Sequence, residues 1–174
     1  MPYWHSLCGA LGFYLMNLRN STLLHWVSAI SRFGLALVWL VSGGSKIIDP
    51  LATKQSIYAY QLFSPQMVNF IGTALPPVEI ALGVMLLIGL LIRPVGAISA
   101  VIFVGFIAGI ASAWARGLTI DCGCFGTGGD NPNVTGWTYA GEILRDLLFV
   151  AMAIVCVWRP FQRFAFPQLS TRRT

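Results

Sequence analysis

Cys122 and Cys124 are separated only by Gly123 in the run Asp121-Cys122-Gly123-Cys124-Phe125-Gly126. Two thiols this close can pair with each other, exchange with a partner's thiols, or hold a metal. A disulfide between them closes a small ring, so it should be strained and relatively oxidising. The glycine between them relieves part of the steric conflict. On the residues alone a redox pair, a structural disulfide and metal ligation all stay open. No metal is expected, because only two ligands are local and neither His5 nor His25 falls on this face.

The elements that must position this turn are apolar. Of the 174 residues, 56% are hydrophobic and 10% charged. A soluble domain carries about 25% charged residues, so this chain cannot cover a water-facing surface. Long uncharged runs point to an all-α, polytopic membrane protein: a four-transmembrane-helix bundle in contact with lipid. The expected spans are residues 26–48, 75–92, 95–115 and about 137–158. Pro76 and Pro77 suit a helix start, and residues 51–74 read as short amphipathic helices at the interface. Arg32 is expected to snorkel to the nearer interface. Gly105 and Gly109 form a GxxxG pattern of the kind that packs helices. Residues 1–22 read as an interfacial or disordered segment, 23–160 as the membrane domain and 161–174 as a basic cytoplasmic tail. No cleavable signal peptide is expected. The net charge of +5 is no nucleic-acid signal, because the basic residues sit at span ends and tails rather than in one patch.

Four spans put both termini on one side. That side holds Arg19, Arg32, Arg93, Arg159, Arg163, Arg172 and Arg173, and no acid. The other holds Lys46, Lys54, Arg116 and Arg145 with all six acids. The positive-inside rule makes the first side cytoplasmic and leaves the Cys-Gly-Cys loop extracytoplasmic, in an oxidising compartment. The localisation expected is a bacterial inner (cytoplasmic) membrane. The same threading gathers Lys46, Glu79, Arg116, Asp121, Glu142, Arg145 and Asp146 at the level of the cysteines. Glu142, Arg145 and Asp146 share one helix face by their spacing. Arg145 and Arg116 could stabilise a thiolate, or Arg145 could neutralise a neighbouring acid. Glu79 could relay a proton or lock the bundle in an ion pair. Lys46 could cap the polar cluster or snorkel to headgroups, the latter favoured. Cys8 and Cys156 read as packing residues, and Trp39, Trp114 and Trp137 as members of interface belts.

These residues resemble the DoxX-like superfamily of four-span bacterial membrane proteins, and within it the MauE (methylamine utilisation) branch. The resemblance rests on Ser42-Gly43-Gly44-Ser45-Lys46 with Asp49-Pro50, and on Pro77-Val78-Glu79 with Gly83. It rests further on Cys122-Gly123-Cys124-Phe125-Gly126 and on Arg145-Asp146. It covers about residues 30 to 160. It implies a four-helix bundle working with an extracytoplasmic thioredoxin-like protein in disulfide formation or maturation of an exported enzyme. Other DoxX-like proteins are associated with quinone-coupled sulfur oxidation.

Three functions follow as expectations. The first is a membrane thiol–disulfide oxidoreductase with Cys122 and Cys124 as catalytic pair. The second is a non-catalytic subunit or assembly factor of a larger membrane complex. The third is a quinone-coupled sulfur-oxidation subunit. Nothing in the sequence requires a quinone.

Overall fold

The computed structural model describes the backbone of residues 3–123 and 128–161, with side chains from Leu23 onward apart from Asp130. The expectation for residues 1–22 concerns side chains outside the described residues, as does Cys8. The same holds for Cys124 and for residues 162–174 of the tail.

Among the described residues, five helices and one small hairpin follow in order: α1 (Tyr3–Ile48), α2 (Pro50–Ala59), α3 (Pro65–Ile88), α4 (Ile92–Ala115), β1 (Ile120–Asp121), β2 (Gly129–Asp130) and α5 (Gly136–Trp158). Three segments among the described residues are long and apolar enough to cross a membrane: Leu23–Ile48, Pro65–Ile88 and Ile92–Ala115. At 1.5 Å per residue, the 24 residues of α3 reach about 36 Å, beyond the ~30 Å hydrocarbon core. The chain is a multi-pass membrane protein. The fourth expected span is α5, which carries Glu142, Arg145 and Asp146 in its first half.

The second span starts earlier than expected. Ser64 accepts the amide of Met67 as N-cap and Pro65 takes the first helical position, so Pro76 and Pro77 lie inside α3. A proline pair reads as a start because it cannot donate within a helix. Inside a membrane bundle, neighbouring helices tolerate that loss. Only residues 50–59 of the expected interfacial stretch form a separate short helix, capped by Asp49. The turn into α4 falls at Gly89–Leu91, with Gly89 and Leu91 at positive φ, so Arg93 and Pro94 belong to the first turn of α4.

α1 packs on α3, and α4 packs on α5; α1 also meets α5, while α3 and α4 meet far less closely. Small residues set the close pairs. A Cβ on Gly43 would lie 2.9 Å from Ile80 and 3.0 Å from the carbonyl of Pro76, and one on Gly83 would lie 3.1 Å from the carbonyl of Ala36. These contacts bring α1 and α3 together backbone to backbone. At the centre Trp39 is fully buried, stacks on Phe103 at 4.6 Å and donates its indole N–H to Ser99 Oγ at 2.9 Å. Trp39 is thus a core residue, not a member of an interface belt, because Ser99 supplies the partner its N–H needs.

Arg32 does not snorkel. It is fully buried and donates to the carbonyls of Leu86 (2.7 Å), Leu87 (2.9 Å) and Phe161 (2.9 Å). The last carbonyls of α3 lack their i+4 helical partners and carry the negative end of its dipole, so they accept a guanidinium, Leu86 O doing so beside the capping amide of Gly89 at 3.2 Å. The GxxxG pair also departs from expectation. A Cβ on Gly105 would meet nothing within 4 Å, and one on Gly109 would meet only the ring of Tyr60 at ordinary contact distance.

Candidate functional site

β1 delivers Cys122. Ile120 pairs with Asp130 and Asp121 with Gly129 in an antiparallel register, so the cysteine follows directly on the first strand, in the connection of a hairpin. The loop expected here from the sequence contains this hairpin, since two-residue strands carry no alternating pattern. Tyr139, near the start of α5, holds the strand from outside. Its hydroxyl donates toward the carbonyls of Leu118 (2.6 Å) and Ile120 (3.2 Å) and accepts the amide of Ile120 (3.1 Å). At the C-cap of α2, the hydroxyl of Tyr60 donates to the carbonyl of Cys122 at 3.3 Å. Gly123 sits at φ 67°, and a Cβ there would fall 2.6 Å from Ser56 Oγ. Only glycine meets both conditions. The middle residue of the motif is therefore fixed by the fold as well as by thiol spacing. Tyr60, Tyr139 and Ser56 were not legible as site residues, because they act through contacts distant in sequence.

Around the sulfur the charges are ordered. Arg145 Nη2 lies 3.6 Å from Cys122 Sγ. The same guanidinium is held by Asp146, with Nε and Nη2 each 2.9 Å from Oδ1. Asp146 is 1% exposed. Asp121 and Glu142 each bring a carboxylate oxygen to within 4.8 Å of that sulfur and of one another. The Oε2 of Glu142 and the Oδ2 of Asp146 are buried and have no hydrogen-bond partner among the described residues. Asp121, Cys122 and Glu142 could offer three ligands to a metal. The guanidinium against the same sulfur already supplies the positive charge that such an ion would bring.

A second polar group lies between α1 and α3. Lys46 Nζ donates to Ser42 Oγ (2.6 Å) and to both carboxylate oxygens of Glu79 (2.8 and 2.9 Å). Ser42 Oγ in turn donates to Glu79 Oε2 at 3.1 Å. Lys46 is 6% and Glu79 0% exposed. Lys46 therefore turns inward rather than to headgroups, because Glu79 offers it a charged partner inside the bundle. This arrangement is an ion-pair clamp on the crossing that Gly43 makes close. Arg116 stands elsewhere: it donates to the carbonyl of Tyr60 at 2.6 Å and ties the end of α2 to the end of α4. Of the predicted polar set, the structure thus gathers Asp121, Glu142, Arg145 and Asp146 about Cys122. Lys46 and Glu79 pair with each other, and Arg116 joins two helix ends.

The chain matches the model of the family described as methylamine utilisation protein MauE over residues 24–159, more than half its length, and belongs to that family. No curated protein and no solved structure matches it.

Proposed function

We propose that this MauE-family membrane protein is a thiol–disulfide oxidoreductase. Its Cys122/Cys124 couple exchanges electrons with an extracytoplasmic thioredoxin-like protein, in support of disulfide formation or maturation of an exported protein. The observation that carries this reading is the Arg145 guanidinium set against Cys122 Sγ and braced from behind by a buried Asp146. A cation at a sulfur favours the thiolate, the form that attacks and leaves in exchange.

In the cycle a thiolate of the partner attacks the Cys122–Cys124 disulfide. One sulfur leaves as a thiolate and a mixed disulfide forms. The partner's second thiol resolves it, so the partner gains a disulfide and the couple becomes two thiols. Two electrons and two protons pass to this chain. Arg145 stabilises the thiolate on Cys122, and Glu142 stands close enough to the sulfur to take or return its proton. Glu79 is less suited to that relay, since Lys46 and Ser42 engage both its oxygens.

The proposed topology has α5 as a fourth span, both termini cytoplasmic and the hairpin outside. Its support is the packing of α5 on α4 and α1, with Leu144, Leu147 and Leu148 turned outward. The test is trapping. Cys122→Ser or Cys124→Ser should accumulate a mixed disulfide with a soluble partner on non-reducing gels. Full maturation activity in a strain carrying both substitutions excludes the proposal.

A further inference from the structure

At the end of the bundle away from the hairpin, a cavity of about 440 Å³ opens between α1, the start of α4 and the chain leaving α5. Two guanidinium-bearing residues line it: Arg93 in the first turn of α4 and Arg159 at the C-cap of α5. His25 and Ser28 add polar groups from α1. The wall beyond α5 is held in place. Arg32, fully buried, donates to the carbonyl of Phe161 at 2.9 Å, and the Phe161 ring meets Phe33 edge-on with centroids 6.3 Å apart. These contacts seat the segment that carries Arg159 against α1. No acid answers the charge gathered here. None of the chain's six acids lines the cavity, and the two ion pairs among the described residues are Lys46–Glu79 and Arg145–Asp146. Residues 1–22 and 162–174 contain no acid either. A ligand that complements the cavity is therefore an anion.

We propose that this cavity holds the phosphodiester headgroup of an anionic phospholipid. The proposal is independent of the thiol–disulfide reading above. Position selects a lipid over a soluble anion. Arg93 is the second residue of the membrane span Ile92–Ala115, so it stands where hydrocarbon gives way to headgroups. Two apolar lining residues, Trp158 and Leu24, are 78% and 42% exposed. A tryptophan at the end of a span suits the boundary between acyl chains and headgroups. The lining thus joins cationic groups to apolar ones, as a headgroup with the first methylenes of its chains requires. Arginine fits this ligand, because its planar fork can give one phosphate two parallel N–H···O bonds. Basic pockets between membrane helices are suited to anionic headgroups for the same reason. A phosphate engaging both guanidiniums would join α4 to α5 at the ends that the hairpin does not connect.

The test uses the full chain in detergent micelles, titrated with phosphatidylglycerol or with phosphatidylcholine, whose choline carries a compensating positive charge. Native mass spectrometry counts the lipid retained, and a thermal melt follows stability. The wild type should retain phosphatidylglycerol preferentially and melt higher with it, because a ligand that binds the folded state stabilises that state. Arg93→Gln and Arg159→Gln should each weaken retention roughly fivefold, and the double substitution should weaken it further. Both side chains are exposed, so the lipid-free melt of the double variant should match that of the wild type. Replacing both by lysine keeps the charge without the fork and should recover part of the affinity. Lys54→Gln, which removes one positive charge from α2, should leave retention unchanged. Equal retention of the two lipids by the wild type, or an undiminished preference in the folded double variant, overturns the site. So does an equal loss in Lys54→Gln, since net charge would then govern retention. Inorganic phosphate that protects as well as phosphatidylglycerol at the same concentration overturns the lipid assignment. The wild type alone gives a second reading: the melting shift from phosphatidylglycerol should shrink as salt is raised. A shift indifferent to salt overturns recognition by charge, whatever the variants do.

Discussion

Arg145 Nη2 lies 3.6 Å from Cys122 Sγ while the same guanidinium is gripped by Asp146. Holding the arginine costs little entropy at the moment of exchange, because its position is already set by a carboxylate that is 1% exposed. Removing the cation should therefore act on the sulfur. In a Cys124→Ser background, Arg145→Gln is expected to slow alkylation of Cys122 at neutral pH about tenfold, since the attacking species is the thiolate. Arg145→Lys should recover part of the rate, a point charge lacking the planar fork. Peptide-resolved mass spectrometry after timed iodoacetamide treatment measures it. An unchanged rate in Arg145→Gln would remove the arginine from the mechanism.

The Lys46–Glu79 pair predicts a different pattern. Each single neutralisation, Lys46→Met or Glu79→Leu, leaves a buried charge without its partner and should cost about 3–5 kcal/mol. The double substitution removes both charges and should recover most of that loss, because a buried ion pair often breaks even with apolar replacements. Thermal or denaturant unfolding in detergent provides the comparison. Equal losses in the single and double variants would show that the pair is not coupled.

How much of this was legible in the sequence follows from the range of each interaction. The membrane class was readable because long apolar runs are local, and so was α5 as a helix ending at Trp158. Cys122 and its glycine stood out for the same reason. The gathering of Glu142, Arg145 and Asp146 followed from helical spacing. What failed depended on partners far along the chain. Arg32 read as an interfacial cation until the end of α3 supplied its acceptors 54 and 55 residues away. Pro76 and Pro77 read as a start because nothing local announced that Ser64 caps the helix first. Gly105 and Gly109 read as a packing face, yet the same small residues serve equally well to leave space. Tyr60 and Tyr139 give no local sign at all, since a tyrosine at the end of one helix or inside another reads as bulk.

Tyr139 should matter through the hairpin alone. Tyr139→Phe keeps the ring that stacks on Trp114 at 6.1 Å but removes the hydroxyl that bridges Leu118 and Ile120. The buried amide of Ile120 then loses its acceptor, a loss of about 1–3 kcal/mol felt locally. Hydrogen exchange at residues 118–122 should accelerate while the helices keep their protection. Uniform loss of protection would mean that the tyrosine supports the bundle instead.

Gly123 gives a sharper prediction, because two constraints meet at one atom. Its φ of 67° costs an alanine about 1–2 kcal/mol, and the added methyl also meets Ser56 Oγ at 2.6 Å. Gly123→Ala should displace the cysteine turn and reduce thiol exchange at least as strongly as loss of Arg145. Pairing it with Ser56→Gly removes the contact but not the backbone strain, so rescue should be partial. Full rescue would assign the whole effect to the clash, and no rescue would assign it to φ.

Sidedness is the prediction on which the proposed partner depends. All six acids belong to the side proposed as external, whereas seven arginines and no acid belong to the other. After gentle reduction of intact cells, a membrane-impermeant maleimide should label the loop cysteines, and labelling should vanish in the Cys122→Ser/Cys124→Ser variant. A cysteine placed at Thr174 should react only once the membrane is opened. Should the loop react only in opened cells, a thioredoxin-like partner outside the membrane could not reach it. If the loop and Thr174 label from opposite sides, α5 must cross the bilayer despite its three charges, which is consistent with Arg145 turning toward Asp146 and Cys122 rather than toward lipid.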